Sequence, residues 1–181
     1  MTRETSRFDV PAQLAAMRRY ARSLTRNETD AEDLVHDALV RAYEKRSTYQ
    51  SGRGLRTWLL SILHNVFIDG RRSRSAESRR EEQTRELADT VTAPGQEHHV
   101  RLGQIREAFL ELPEEQRAAL HLVAVEGLGY AEAAKTLGIA QGTLMSRLSR
   151  ARAALRAVED GTPIARGTHL KIVGGADEPS R

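Results

Sequence analysis

The stretch that decides the fold is Tyr-Ala-Glu-Ala-Ala-Lys-Thr-Leu-Gly-Ile-Ala-Gln-Gly-Thr-Leu-Met-Ser-Arg-Leu-Ser, which runs from Tyr130 to Ser149. It carries a small residue, Ala134, four positions before Gly138, and an apolar residue, Leu144, six positions after it. A small side chain lets two helices approach closely, a glycine accepts the positive φ of a tight turn, and an apolar residue packs the second helix on the first. The spacing predicts a helix-turn-helix between Tyr130 and Arg156.

The second helix of this motif has an apolar stripe and a polar face. The stripe consists of Leu144, Leu148, Ala151 and Leu155 at helical spacing. A recognition helix offers its N-terminal residues to base edges, while arginines further along meet phosphates. We expect base contacts from Gln141, Thr143 and Ser146, phosphate contacts from Arg147, Arg150 and Arg152, and a further exposed contact at Met145. An ordinary helical hairpin shows the same spacing, and a salt-titrated binding experiment separates the two interpretations.

The charge distribution favours DNA binding. The chain has a net charge of +3, and its 28 basic residues are arginines except for Lys45, Lys135 and Lys171. Residues 101–132 carry three basic and six acidic side chains, whereas residues 133–158 carry five basic and no acidic ones. Such a concentration of positive charge is typical of a surface that binds a polyanion, although a solvated helix face is the alternative.

Upstream of the motif, apolar residues recur at helical spacing in two groups separated by a polar stretch. The first group predicts helices over Pro11 to Arg26, from Thr29 onward with a capping box formed by Thr29 and Glu32, and over Leu55 to Asp69. The period resumes at Val100, and Pro113 opens a helix that runs to about Glu126. The prediction is an all-α fold of two small helical domains, residues 11–72 and 100–158, with a flexible linker, residues 73–99, and a tail, residues 159–181.

Composition excludes several functional classes. The chain of 181 residues has no cysteine, which rules out a disulfide framework and thiol chemistry and fits a reducing cytosol. It has no run of 18 apolar residues, so we expect a soluble, cytoplasmic protein without a membrane partner. No phosphate loop, catalytic triad or metal cluster is apparent, so we expect no enzyme activity, no metal and no cofactor. The pair His98-His99 falls in the predicted linker, without nearby ligands.

Four stretches together resemble a known family. They are Ala31-Glu-Asp-Leu-Val-His-Asp-Ala-Leu-Val-Arg-Ala-Tyr43, Leu55-Arg-Thr-Trp-Leu-Leu-Ser-Ile-Leu-His-Asn-Val66, Leu112-Pro-Glu-Glu-Gln-Arg117 and Gly129-Tyr-Ala-Glu-Ala-Ala-Lys-Thr-Leu-Gly138. In this order and spacing they are similar to the extracytoplasmic-function sigma factors, the smallest sigma factors of bacterial RNA polymerase. The stretch from His121 to Gly127 further resembles the general-stress subgroup of that family.

The resemblance implies a set of partners and site residues. In the family, the second helix docks on the β′ clamp helices of core RNA polymerase, and the matching positions are Asp33, His36, Asp37 and Arg41. The loop before the third helix, here Ser47 to Arg53, and the end of that helix melt the minus-ten element and capture an unstacked base. The matching candidates are Tyr49 for stacking and Asn65, Asp69, Arg71 and Arg72 at the helix end, while Trp58 lies among apolar neighbours and is expected in the core.

The resemblance also implies that the helix-turn-helix reads the minus-thirty-five element, that the polymerase β flap is a contact, and that an anti-sigma factor holds the protein inactive. Two positions depart from the family pattern. His36 stands where glutamine is usual, and Met145 stands where lysine is common, which affects the polymerase contact and the promoter preference.

Two other functions share the same fold. A sigma mimic would sequester an anti-sigma factor without binding DNA, but such mimics accompany a phosphoacceptor domain for which this chain has no room. A stand-alone repressor or activator would bind a palindrome unaided, but would leave the polar second helix and the arginine-rich linker unexplained. The linker length permits both an extended and a compact arrangement of the two domains.

Overall fold

A computed structural model describes residues 9–49, 54–78 and 97–160, and all regular structure within these ranges is helical. The elements are a 3-10 turn at Pro11–Gln13, α1 at Leu14–Thr25, α2 at Glu28–Glu44, a second 3-10 turn at Arg46–Thr48, α3 at Leu55–Ser78, α4 at Glu97–Glu111, α5 at Glu114–Leu120, a π-helical turn at His121–Val125, α6 at Tyr130–Thr136 and α7 at Gln141–Glu159. The all-α prediction is confirmed.

The first domain is a bundle of α1, α2 and α3 around a shared apolar core. Its fully buried members include Met17, Tyr20, Ala21, Ala31, Ala38, Leu59, Leu60 and Leu63. Trp58 is 9% exposed and belongs to this core, as predicted. The helical spacing from Leu39 to Tyr43 also predicts that the Tyr43 ring faces this core, but the structure shows the ring 65% exposed.

The start of α2 differs from the prediction. The helix begins at Glu28, and its N-cap is Asn27, whose side-chain oxygen accepts a hydrogen bond from the Asp30 amide at 3.1 Å. The predicted capping box of Thr29 and Glu32 is therefore wrong by two residues. Asparagine is among the best N-cap residues, and Arg26 just before it adopts a left-handed φ of 59° that ends α1. The chain thus reverses direction between α1 and α2 within two residues.

The helices on both sides of the predicted linker, residues 73–99, extend into it. Helix α3 continues past Asp69 to Ser78, and α4 already begins at Glu97. The pair His98-His99 therefore lies in the first turn of α4 rather than in a linker. Arginine, serine, alanine and glutamate follow Gly70, and most of these residues have good helix propensity, which explains why a helix persists after the apolar period has ended. The rest of the linker and the tail from residue 161 lie outside the described residues.

The second domain contains the predicted helix-turn-helix. Gly138 adopts a φ of 65°, Ala134 is 5% exposed between the two helices, and Leu144 is fully buried. The helical segment that starts after Pro113 runs to Val125, close to the predicted end at Glu126, but it widens from an α-helix into the π-helical turn after Leu120. That turn closes with a hydrogen bond of 3.0 Å from the Glu126 amide to the His121 carbonyl, and Gly127 then breaks the chain at a φ of 71°.

The two domains pack against each other in a compact arrangement. Helix α1 contacts α5 and the π-helical turn, and α3 contacts α6. Buried apolar residues of both domains form one continuous cluster. Of the two arrangements that the sequence allowed, the structure shows the closed one.

Candidate DNA and protein interfaces

The recognition helix α7 presents its predicted contact face to solvent. Leu144, Leu148 and Ala151 fix the helix from below, being 0%, 2% and 0% exposed. The exposed candidates are Gln141, Thr143, Met145, Ser146, Arg150 and Arg152. The Ser146 hydroxyl donates to the Thr143 carbonyl at 2.9 Å, and the Met145 side chain is 52% exposed. The face is therefore polar and open to solvent.

Arg147 is the exception on this face. Its guanidinium lies 2.7 Å from the Glu115 carboxylate, and its side chain is only 20% exposed. The ion pair joins α7 to α5 within the second domain. A phosphate contact by Arg147 would have to replace Glu115, so we expect Arg150 and Arg152 to meet DNA first.

The outer face of α2 is open in the closed chain. Asp33, His36, Asp37 and Arg41, the four predicted polymerase contacts, are all exposed. Two apolar side chains, Val40 at 48% and Tyr43 at 65% exposed, join them, and the Arg46 guanidinium stacks 4.3 Å above the Tyr43 ring. Exposed aromatic and aliphatic groups among charges are typical of a protein-docking surface. The helical spacing did not indicate that Tyr43 and Val40 belong to this exposed face, because both lie at the edge of the apolar stripe of α2.

The predicted minus-ten residues spread along α3 and the turn before it. Asn65, Asp69, Arg71 and Arg72 are exposed. Tyr49 is half-buried, and its ring lies 5.3 Å from the Trp58 ring at an angle of 54°. Residues 50–53 of the predicted loop lie outside the described residues. Beside Asn65 is a cavity of about 250 Å³ whose opposite wall is formed by α6 and the turn, through Lys135, Thr136 and Gly138.

An ion-pair cluster at the domain interface was not predicted. Its centre is Glu126, whose side chain is 0% exposed. Arg19 of α1 donates to both carboxylate oxygens of Glu126, at 3.2 and 3.3 Å, Arg56 of α3 donates to Oε2, and the His121 ring nitrogen lies 3.2 Å from Oε1. In the sequence, the stretch from His121 to Gly127 stood out only for its resemblance to a subgroup of the family. The available signal for the cluster was Glu126, a single acidic residue in an apolar stretch just before Gly127.

A second buried charge lies nearby. The Arg117 guanidinium, 3% exposed, donates to the Ser23 and Leu24 carbonyls at the end of α1 and to the Leu110 and Leu112 carbonyls of its own domain. The resemblance had singled out the stretch ending at Arg117 without a role for the arginine. Its planar fork suits it to join several carbonyls that helix ends leave unpaired.

Burial sets the protonation of this interface. It lowers the pKa of His64 and of His121 to about 4, so both imidazoles are neutral at pH 7. The Tyr20 ring lies between them, with its hydroxyl 3.0 Å from His64 Nδ1, and burial raises its pKa. For Glu126, burial would raise the pKa, but hydrogen bonds from Arg56 and Arg19 outweigh it and lower the pKa. The cluster around Glu126 therefore holds one carboxylate against two guanidinium groups at neutral pH.

Two further observations concern metals and membranes. Within the part of the chain that the structure describes, no three side chains of the metal-binding types gather into a possible metal site. None of the described helices is long and apolar enough to cross a lipid bilayer.

Comparison with protein families divides the chain as the fold does. Residues 12–77 match the family model for sigma-70 region 2, and residues 102–155 match that for sigma-70 region 4. The first match covers α1 to α3, and the second covers the helix-turn-helix domain.

Individual relatives span most of the chain. It is 38% identical over 156 residues to the ECF RNA polymerase sigma factor EcfG of Rhodopseudomonas palustris, an alignment that covers 86% of this chain and 85% of that protein. It is 32% identical over 140 residues to the ECF sigma factor SigM of Mycobacterium tuberculosis, covering 77% of this chain and 69% of that one.

Two solved structures share the fold. The sigma factor RpoE in complex with the anti-sigma factor NepR, from Bartonella quintana, superposes with a TM-score of 0.72 at 33% identity, covering 83% of this chain and 94% of that one. CnrH in complex with the cytosolic domain of CnrY gives a TM-score of 0.59 at 28% identity, covering 84% and 85%.

Proposed function

The chain belongs to the extracytoplasmic-function sigma factors of bacterial RNA polymerase, and on that basis we propose how its surfaces divide the work of promoter recognition. The α2 face docks on the β′ clamp helices, α3 and the preceding turn open and hold the minus-ten element, and α7 reads the minus-thirty-five element. The single observation that carries the proposal is that both predicted docking faces, α2 and α7, are solvent-exposed on opposite domains.

The polymerase surface consists of Asp33, His36, Asp37 and Arg41 together with Tyr43. Charged groups beside an exposed aromatic ring suit a charged coiled coil, because the charges orient the partner and the ring supplies buried area. Co-purification with core polymerase tests it. Replacing Asp37 by lysine is expected to lower the retained fraction at least tenfold, whereas Glu107→Lys, the same charge change at an exposed site of α4, is expected to leave it unchanged. Equal retention of both variants would contradict the assignment.

The promoter surface is bipartite. At the minus-ten element, Tyr49 and Asn65 act on unstacked bases, Asp69 lies at the edge of the same surface, and Arg71 and Arg72 hold the backbone. At the minus-thirty-five element, Gln141, Thr143, Met145 and Ser146 face bases, and Arg150 and Arg152 face phosphates. Arg147 joins them only when its ion pair with Glu115 opens. In holoenzyme, Arg150→Gln is expected to reduce the salt slope of promoter binding by about one phosphate contact, while exposed Arg106→Gln is expected to leave it unchanged.

Using both surfaces at once requires the domains to separate. The two element names place them about 25 base pairs apart, which is about 85 Å of B-DNA at about 3.4 Å per pair. A closed chain of this length has a radius of gyration of about 16 Å, so it spans less than half of that distance. The 18 residues between Ser78 and Glu97 reach at most about 60 Å when extended. We therefore infer that the closed chain is the resting form and the separated one is the DNA-bound form.

We further propose that an anti-sigma factor is the physiological inhibitor, that the protein acts in the cytoplasm, and that it performs no covalent chemistry of its own and needs no cofactor. The support is the similarity to RpoE, solved with NepR. Transcription from a defined promoter by core polymerase plus this chain tests the main proposal. Failure with every genomic promoter tried would refute it, and a footprint obtained without polymerase would favour a stand-alone regulator instead.

A further inference from the structure

Among the described residues, the ion pairs that join the two domains have the same polarity. The second domain supplies the carboxylates and the first supplies the guanidinium groups: Glu126 binds Arg19 and Arg56, and Glu114 binds Arg71 at 2.6 Å. Two carboxylates of the acidic stretch, residues 101–132, therefore pack on the arginines of α1 and α3, while Arg150, Arg152 and Arg156 on α7 face solvent. From this arrangement we propose that Glu126 and Glu114 form a latch that holds the chain closed by occupying first-domain arginines.

The latch has the energetics of a switch. A buried carboxylate is stable only when its charge is paired, and Glu126 receives three donors while its side chain is 0% exposed. On opening, the carboxylate and the arginines regain water, so the lost ion pairs and the recovered hydration nearly balance. Arg19 and Arg71 are already 48% and 58% exposed, which makes their share of the attraction weak and sensitive to salt. Small changes in partner or salt therefore shift the populations of the open and closed forms.

The latch also obstructs one of the two promoter surfaces, although the side chains at that end of α3 stay exposed to solvent. Arg71, a minus-ten candidate, is paired with Glu114, and the wall formed by Lys135 and Gly138 stands opposite Asn65 across the 250 Å³ cavity. The α2 face is not covered. The closed chain is thus able to dock on polymerase but binds minus-ten DNA less well than the open chain, a consequence that rests on the proposed function, whereas the latch itself does not.

The test uses the absence of cysteine from the chain. Cysteines introduced at Ala15 on α1 and at Ala153 on α7, both exposed, carry a fluorophore pair that reports the distance between the domains. Arg19→Gln breaks the latch. Its matched control is Arg18→Gln, because Arg18 precedes it on α1, is 49% exposed and pairs with Glu32 of its own domain at 3.0 Å. Arg19→Gln is expected to raise the open fraction about threefold, with Arg18→Gln like the parent chain.

A second measurement links opening to DNA. When only the open form binds, the apparent dissociation constant is inversely proportional to the open fraction. A fluorescent single-stranded minus-ten oligonucleotide is therefore expected to bind the Arg19→Gln and Glu114→Gln variants more tightly, by up to the factor by which each raises the open fraction. Circular dichroism confirms that each variant remains folded, and Glu114→Gln replaces Arg19→Gln if the latter unfolds.

The outcomes separate the two claims. Unchanged distances in both latch variants, or a parent chain that is already open in dilute salt, would overturn the latch. Opening without tighter oligonucleotide binding would overturn the obstruction of the minus-ten surface. Opening with tighter binding, but no promoter-directed transcription, would leave the latch standing and refute only the proposed function.

Discussion

Replacing Arg117 by methionine tests whether the two domains share one cooperative core. The guanidinium donates to four carbonyls, two of them at the end of α1 in the other domain. Hydrogen bonds from a charged donor contribute about 1.5 to 3 kcal/mol each, but they are not additive. Burial, together with the nearby charge of Arg26, lowers the pKa of Arg117, which shows that desolvation offsets part of this gain. The expected net loss in the free energy of unfolding is about 3 kcal/mol.

The assay is urea unfolding followed by the fluorescence of Trp58, the single tryptophan, which lies in the first domain. With a typical slope of about 2 kcal/mol per molar urea, the midpoint is expected to fall by about 1.5 M. Arg106→Met, at an exposed site on α4, is expected to leave it within about 0.3 M. Arg117→Lys keeps the charge but loses the fork, and is expected to fall between the two. A midpoint for Arg117→Met equal to that of Arg106→Met would refute the coupling of the domains through this side chain.

Three further predictions follow from the geometry. The unfolding free energy should be flat from pH 7 to about 9 and fall as the pH drops from 6.5 towards 4. The reason is that His64 and His121, with a pKa of about 4 in the folded chain, stay neutral while the unfolded chain takes up protons. The expected loss at pH 5 is about 4 kcal/mol, and a His121→Gln variant with an unchanged pH profile would contradict it. Gly138→Ala should destabilise the chain by about 1 to 2 kcal/mol because of its φ of 65°, whereas Gly142→Ala, inside α7 with open space around it, should stabilise it by about 0.5 to 1 kcal/mol; urea midpoints that move in the same direction would refute this reasoning. Tyr43→Ala should weaken core polymerase binding about tenfold without changing the urea midpoint, because the ring is exposed. A lowered midpoint would instead mean that the Tyr43 ring packs in the core.

The sequence was sufficient for the parts of the fold that depend on local chemistry. Apolar spacing located α1 to α3, and the distances between Ala134, Gly138 and Leu144 located the helix-turn-helix, because each of these residues has a steric role that its neighbours impose. Local sequence rules did not identify the correct N-cap of α2. Asn27 and Thr29 are both good N-cap residues, and only the turn after Arg26 decides between them.

The domain interface was beyond such reasoning. Arg18 and Arg19 are adjacent arginines of α1, and nothing in the sequence distinguishes their roles. In the structure Arg19 pairs across the domain interface, whereas Arg18 pairs within its own domain. Glu126 is buried because the π-helical turn just before it changes the helical register. The spacing of apolar residues in the sequence does not predict that turn. The sequence shows that residues 101–132 carry a net negative charge and residues 133–158 a net positive charge. It does not indicate that the acidic residues contact arginines of the first domain.

The exposure of the α2 face in the closed chain has a kinetic consequence. If capture by polymerase needs no prior separation of the domains, its bimolecular rate constant is independent of how often the chain opens. Separation then becomes a unimolecular step on the enzyme surface, and its observed rate reaches a plateau as the polymerase concentration rises. A higher cellular concentration of this sigma factor would therefore raise the rate of its capture. The time from capture to a loaded promoter would still have a lower limit, which is set by the rate at which the two domains separate.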